Sequence, residues 1–427
     1  MNKLSRLLIG ISSLSLMCAV TSFGAVSTVE NEDSVTGYTT TFTYSNADAT
    51  NVKLNGSFYF MTENDENLKG MNYALPEGTG TYDFTIAPEN WNKEGNYHHV
   101  FVDNWSDDMV KGEDGVWTYS IDLPGGYYVY RLSVSYNDGA HYDLIADPSQ
   151  PSRVDTMGVT SRRSVFYVPY DAEKQSETDD WTWATPLEDE SQAGTVFHFN
   201  YPGYGDVYRA AMIYLPNGYD AEREEPYKVL YISHGGGGNE TDWFTQSHAD
   251  FIADRKFASG EEEPFIIVTM NNTAFGWDYQ VIHDNMKDYL IPYMEQNYNV
   301  VSDASGRAFA GLSMGGMTTN TLLYIEPELF GYYGIFSGSN IGNLSRDDYS
   351  AFADARIFIG AGFADNAHIN SSYQTDTDRT SLGLAETFDA LGIAYNNGNG
   401  LHLVQGGHDW YTWDLLLRDF IDEMLWK

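Results

Sequence analysis

The sequence predicts an α/β domain behind an all-β domain. Three observations carry this. From Gly194 onward, short apolar runs alternate with stretches of helical spacing, the pattern of a mostly parallel sheet covered by helices. Between about residues 37 and 155, short β-branched and aromatic runs are separated by turn residues. Finally, Gly311-Leu-Ser-Met-Gly-Gly316 is a G-x-S-x-G string set between an apolar run and a helical one. A chain of 427 residues fits two domains.

The chain opens on an export pattern. Lys3 and Arg6 give a positive start, Leu7 to Val20 is largely apolar, and Ser22-Phe-Gly24 offers small residues for cleavage. Residues 1–24 are therefore expected to be a signal peptide, and the mature chain to be secreted (extracellular or periplasmic). The apolar run is short for a membrane span, so no membrane association is expected after cleavage. Cys18 is the only cysteine and lies in this leader. Disulfides, a thiol nucleophile and thiolate metal sites are thereby excluded from the mature chain. The net charge of −38 argues against nucleic acid, whose binding rests on Lys and Arg neutralising phosphate. It favours a neutral or non-anionic ligand.

Residues 37–155 are expected to form a β-sandwich. Tyr38 to Tyr44 is β-branched and aromatic, and Asn51 to Phe60 and Gly115 to Leu123 alternate with period two. Pro124-Gly-Gly126 is a turn leading into a strand from Tyr127 to Val134. Thr62 to Asp108 is rich in Asn, Glu and Gly and is expected to be an inserted loop region. Trp105, Trp117, Tyr128 and Tyr130 are candidate sugar stackers, although Trp117 and Tyr119 share a strand face with Ile121, which favours core for those two. Residues 156–194 are expected to be a linker. Ser164 to Val168 within it has strand character, and Trp181 and Trp183 point to packing on one of the domains.

Residues 195–427 carry the α/β pattern. Lys228 to His234, Phe265 to Met270 and Arg307 to Ala310 are buried-strand runs, and later strands are expected at Tyr332–Phe336, Ala355–Ile359 and Leu401–Val404. Tyr279 to Tyr298 has helical spacing, with Ile282, Met286, Leu290 and Met294 four apart. A closing amphipathic helix is expected from Tyr411 to Leu425.

The chemistry centres on Ser313. A serine hydroxyl is a weak nucleophile at neutral pH and needs a base within reach and a third group to orient that base. In the α/β-hydrolase arrangement the chain order is Ser, acid, His. His368, His402 and His408 follow Ser313. His402 lies within the last strand and His368 in a polar loop, whereas His408 follows the last strand directly and is the expected base. Asp365 is the first carboxylate after the strand ending at Ile359 and is the expected acid, with Asp376 and Asp378 as competitors. An oxyanion needs two backbone N–H donors. These are expected from Met314, directly after the nucleophile, and from the loop His234-Gly-Gly-Gly-Gly238, with Gly236 as the donor. His234 itself is expected to hold the loop. Trp243, Asn271, Phe275 and Trp277 follow strand ends and are candidate substrate-binding residues. No metal or cofactor is required by this chemistry.

Two stretches resemble known families. Leu54-Asn-Gly-Ser-Phe58, Gly115-Val-Trp-Thr-Tyr119 and Leu123-Pro-Gly-Gly-Tyr-Tyr-Val-Tyr-Arg131 are similar to immunoglobulin-like modules of carbohydrate-binding family 48. That resemblance implies glycan contact or packing on a catalytic domain. Tyr214 to Tyr219, Leu230 to Trp243, Gly311 to Gly316, Phe336-Ser-Gly338 and Gly406 to Trp413 together resemble the esterase D-like α/β-hydrolases, in particular the family 1 carbohydrate esterases. This second resemblance implies an α/β-hydrolase domain with Ser313, Asp365 and His408 as triad. It also implies an esterase on plant cell-wall polysaccharide, releasing ferulic or related hydroxycinnamic acid from arabinoxylan. Alternatives are an acetylxylan esterase, an esterase on another small acyl ester, or a non-catalytic glycan-binding protein. The expected partner is feruloylated or acetylated xylan.

Overall fold

The computed structural model describes residues 24–62, 86–95, 97–100, 105–149, 164–340, 345–363, 365, 367–368 and 380–427. The expected signal peptide lies, but for Gly24, outside the described residues, as do Asp376 and Asp378.

The N-terminal region holds eleven described strands. They are β1 (Gly24–Glu30), β2 (Tyr38–Ser45), β3 (Asn51–Gly56), β4 (Tyr59–Thr62), β5 (Tyr97–Val100) and β6 (Trp105–Asp108). β7 (Val110–Lys111), β8 (Val116–Asp122), β9 (Gly126–Ser135), β10 (Asp143–Ile145) and β11 (Ser164–Val168) follow. One antiparallel sheet runs β1-β2-β8-β7 and another runs β10-β9-β3-β6, with β11 also on β9; β4 pairs with β5. Successive side chains in a strand point to opposite faces. In β3, Val52 and Leu54 are buried between half-buried neighbours, and in β9 Tyr128, Tyr130, Leu132 and Val134 are buried. These inward sets meet in one core with Phe42, Phe58 and Phe166.

Three expectations change here. The β region begins before residue 37, because β1 pairs along its whole length with β2. Its short alternation abuts the expected leader and escapes notice beside it. Trp105, Tyr128 and Tyr130 are core residues rather than sugar stackers, and Trp117 is core as its strand face indicated; none is more than 6% exposed. All four belong to the sandwich core; Trp105 and Tyr128 pack on Phe58, Tyr130 packs on Phe166, and the Tyr130 hydroxyl donates to buried Asp147. The strand pleat aims all four inward. The stretch after residue 156 is, over its described part, no free linker. β11 completes the β9 sheet, and Trp181 and Ala184 are buried in the core of the α/β domain. Arg255 holds Thr185 through both its backbone carbonyl and its hydroxyl. Burial of the aromatic residues outweighs the acidic, solvated flanks that made the stretch resemble a linker.

The second region is an eight-stranded sheet. Its strands are β12 (Thr195–Gly203), β13 (Val207–Leu215), β14 (Val229–Ser233) and β15 (Ile266–Met270). β16 (Arg307–Leu312), β17 (Tyr332–Phe336), β18 (Arg356–Gly362) and β19 (His402–Val404) complete it. The order is β12-β13-β15-β14-β16-β17-β18-β19, antiparallel at β12, β13 and β15 and parallel from β15 to β19. This is a sheet of the α/β-hydrolase type. The helices are α1 (Asp242–Thr245), α2 (Ala249–Ser259), α3 (Tyr279–Asn285), α4 (Ile291–Asn297), α5 (Met314–Ile325), α6 (Ser381–Leu391) and α7 (Trp410–Glu423).

A π-helical turn, Met286–Leu290, joins α3 to α4. It explains how Ile282, Met286, Leu290 and Met294, spaced strictly by four, are all fully buried. An α-helix turns by about 100° per residue, so such a row would drift round the helix; a wider turn keeps it on one face. Pro292 stands just beyond, where its missing N–H loosens the regular ladder. The two regions meet at His248. The Tyr127 ring of β9 stacks on it at 3.9 Å, and its Nδ1 lies 2.7 Å from Asp414 Oδ2 in α7.

Candidate active site

The elbow is strained where the serine stands and close-packed at its glycines. Ser313 sits between β16 and α5 with φ 53° and ψ −118°, a left-handed conformation that non-glycine residues rarely adopt. Gly311, Gly315 and Gly316 are needed for space instead. A Cβ on Gly315 would lie 2.5 Å from the His234 carbonyl oxygen, one on Gly316 2.7 Å from that of Phe336, and one on Gly311 2.7 Å from the Gly315 backbone. The left-handed turn thus falls on the serine at the tip of the elbow, and the glycines around it give it room. Its amide is fixed by donation to the Phe336 carbonyl at 2.9 Å.

The loops after three parallel strands converge on this turn. His408, between β19 and α7, places Nε2 2.9 Å from Ser313 Oγ. Its Nδ1 lies 2.8 Å from Oδ1 of Asp365, in the loop after β18. Burial disfavours the His408 imidazolium, but the Asp365 carboxylate outweighs it and raises the His408 pKa above the usual 6.5. The structure thus brings together the expected nucleophile, base and acid. Asp365 is 3% exposed and fully partnered. Oδ1 also accepts the Ala367 amide at 2.6 Å, and Oδ2 accepts the Ser337 hydroxyl at 2.5 Å. His408 is further fixed by the next residue, because Asp409 caps α7 by accepting the Thr412 amide and also accepts the amide of Gly407. Burial pushes the Asp409 carboxyl up to about 6.

The other histidines stand elsewhere. His368 is buried beside the acid, with its amide on the Asp365 carbonyl, and burial pushes its pKa down. His402 pairs with Asp419 at 2.9 Å. His234 accepts the Asn272 amide at Nε2, so Nδ1 carries the proton and donates to the Gly235 carbonyl at 2.7 Å. Burial pushes its pKa down to about 4, so it is neutral at pH 7 and pins the glycine loop. In that loop Gly235 lies against Leu312 and Ser313, and Gly236 against the Met314 side chain. Met314 is the first residue of α5, where helix amides have no carbonyl four residues back to bind.

The expected substrate-binding residues divide. Trp243 is a correction: it is fully buried, its indole N–H donates to the Ser233 carbonyl, and its ring packs on Phe336 and Trp410. A strand end does not dictate that the next side chains face the pocket. Asn271 donates to Glu240 and accepts the Ala274 amide, and Phe275 lies beneath the Arg209 guanidinium at 4.5 Å. Trp277 meets the glycine loop directly, with its ring 5.4 Å from that of His234. Sequence reasoning assigned no role to Ser337 and Trp413, although both lie in strings that carry the family resemblance. Ser337 adopts φ 48° and accepts the Trp413 indole N–H at 2.9 Å while holding Asp365. The available signal was a Ser-Gly pair directly after β17, the strand next to the nucleophile strand.

Comparison with known proteins finds esterases. The family model Esterase, described as "Putative esterase", matches residues 207–422. The chain is 28% identical over 318 residues to "Endo-1,4-beta-xylanase/feruloyl esterase" of Xylanibacter ruminicola, a match covering 71% of this chain and 39% of that protein. It is 27% identical over 255 residues to "Endo-1,4-beta-xylanase Y" of Acetivibrio thermocellus, covering 53% and 23%. The matches thus span well under half the length of these curated relatives. Among solved structures, the enterobactin esterase FES of Shigella flexneri shares the fold over 94% of this chain and 96% of that one, with TM-score 0.54 and 14% identity. The matched segment contains the glycine loop, the elbow, Asp365 and His408, and the chain belongs to the Esterase family of carboxylic-ester hydrolases.

Proposed function

We propose that this chain is a secreted serine esterase that releases ferulic or related hydroxycinnamic acid from arabinoxylan of the plant cell wall. The observation that carries the reading is the 2.9 Å contact between Ser313 Oγ and His408 Nε2 on a strained elbow. The name of the Xylanibacter relative, which includes feruloyl esterase, supports the acyl group. The strongly acidic composition suits a neutral polysaccharide.

In this reading Ser313 Oγ attacks the ester carbonyl carbon as its proton passes to His408 Nε2. Asp365, buried and bonded to Nδ1, stabilises the imidazolium. The carbonyl oxygen becomes an oxyanion held by the Met314 and Gly236 amides. Collapse expels the sugar hydroxyl, which takes the proton from His408, and leaves an acyl-Ser313. Water activated by His408 then attacks the acyl carbon, and the free acid leaves. The N-terminal sandwich, in the same reading, is an immunoglobulin-like module that packs on the catalytic domain.

The test is to incubate the full chain with feruloylated, acetylated arabinoxylan and measure both acids. Release of ferulate well above acetate supports the reading. Release of acetate alone replaces it with an acetylxylan esterase, and release of neither contradicts it.

A further inference from the structure

The two tryptophans of the acidic connecting stretch have different surroundings. Trp181 is 2% exposed and wedged between Tyr127, Trp183 and Tyr411, which explains it as packing. Trp183 is only half-buried. Its indole N–H donates to the Asp180 carbonyl, and the Arg418 guanidinium lies 4.6 Å from its ring. Burial therefore leaves part of this large side chain unexplained. That part borders a cleft of about 400 Å³.

The cleft has the composition of a sugar site. Trp183 and Tyr411 supply aromatic wall; Glu177, Asp180, Gln405 and Arg418 supply carboxylate, amide and guanidinium groups. Pyranose rings present apolar C–H faces and a rim of hydroxyls that both donate and accept. Aromatic walls fit the first, and carboxylate, amide and guanidinium groups fit the second. The volume lies in the range of small-ligand pockets. Its position also matters. Gln405 lies three residues before His408 and Tyr411 three after it, while Phe363, also in the wall, lies two before Asp365. The cleft is thus built on the loops that carry base and acid, at the β19 edge of the sheet, and is closed by the connecting stretch.

We propose that this cleft is a glycan subsite that binds neutral pyranosyl residues of the polysaccharide carrying the ester. The proposal rests on the polysaccharide-esterase reading above for the identity of the glycan. It gives the connecting stretch a role in substrate binding, separate from the triad.

The test titrates ester-free arabinoxylo-oligosaccharide into the full chain by calorimetry, with methyl ferulate hydrolysis measured in parallel. Trp183→Ala is expected to weaken oligosaccharide binding at least tenfold and leave methyl ferulate turnover unchanged. Glu177→Ala, at an exposed position where folding is not at stake, is expected to weaken binding about threefold. Thermal melting checks that each variant is folded. Equal binding by wild type and both variants, or no binding by wild type, overturns the subsite. Turnover of methyl ferulate without any ferulate release from polymer would instead count against the polysaccharide reading, and the binding data would still decide the cleft.

Discussion

Ser337 donates its hydroxyl to Oδ2 of Asp365 at 2.5 Å, on the side of the carboxylate away from His408. Because the Trp413 indole N–H donates to the same Ser337 oxygen, the hydroxyl proton is directed at the acid. The acid is therefore held from both sides, by the base it orients and by a serine on the neighbouring strand end. Bonds of this kind fix a ligand's or catalyst's orientation without touching the reacting atoms.

Ser337→Ala leaves one oxygen of a buried carboxylate without its partner. A lost hydrogen bond to a charged group costs on the order of 1.5–3 kcal/mol. The expected outcome is a kcat roughly tenfold lower with KM unchanged, measured on methyl ferulate. Ser337→Thr, which keeps the hydroxyl, is expected to recover part of the loss.

The pH profile follows from the His408 environment. Only neutral His408 accepts the serine proton, and the Asp365 charge raises its pKa above 6.5 despite burial. Activity is therefore expected to fall as pH drops, with the midpoint of the acid limb of kcat/KM above 6.5. Asp365→Asn removes the raising charge, so the limb is expected to move to lower pH and the rate to drop by roughly 10⁴-fold.

The elbow glycines are tight enough to test by a single methyl group. Gly315→Ala places a Cβ 2.5 Å from the His234 carbonyl oxygen. Overpacking of this kind costs about 1–3 kcal/mol. A lowered melting temperature is expected together with lower kcat, since the displaced carbonyl belongs to the oxyanion loop.

His234 offers a complementary case. It satisfies the Asn272 amide and the Gly235 carbonyl at once. His234→Ala is expected to lower kcat at least tenfold by loosening the loop. Because the ring is neutral at pH 7 with a pKa of about 4, the acid limb is expected to stay where it was.

The site was legible where chemistry is written in contiguous residues. The elbow, the glycine loop and His408 each sit in a short string whose residue types have few other uses side by side. Asp365 was legible from chain order, as the first carboxylate after its strand. Ser337 and Trp413 were not, because they meet only when β17 and α7 pack, 76 residues apart in the chain. Side-chain direction was the other blind spot. Trp243 follows a strand end yet turns inward, and for Trp105, Tyr128 and Tyr130 alternation alone does not tell a binding face from a core face. The acidic stretch around Trp181 has a linker's composition; its two tryptophans pointed to packing on a domain, but which domain they meet is set only by the fold.

The most direct measurement compares wild type and Ser313→Ala on methyl ferulate, with fluorophosphonate labelling of both. The expected result is a loss of turnover of at least roughly 10³-fold and loss of labelling, with melting unchanged. A folded Ser313→Ala chain that keeps wild-type turnover contradicts Ser313 as the nucleophile.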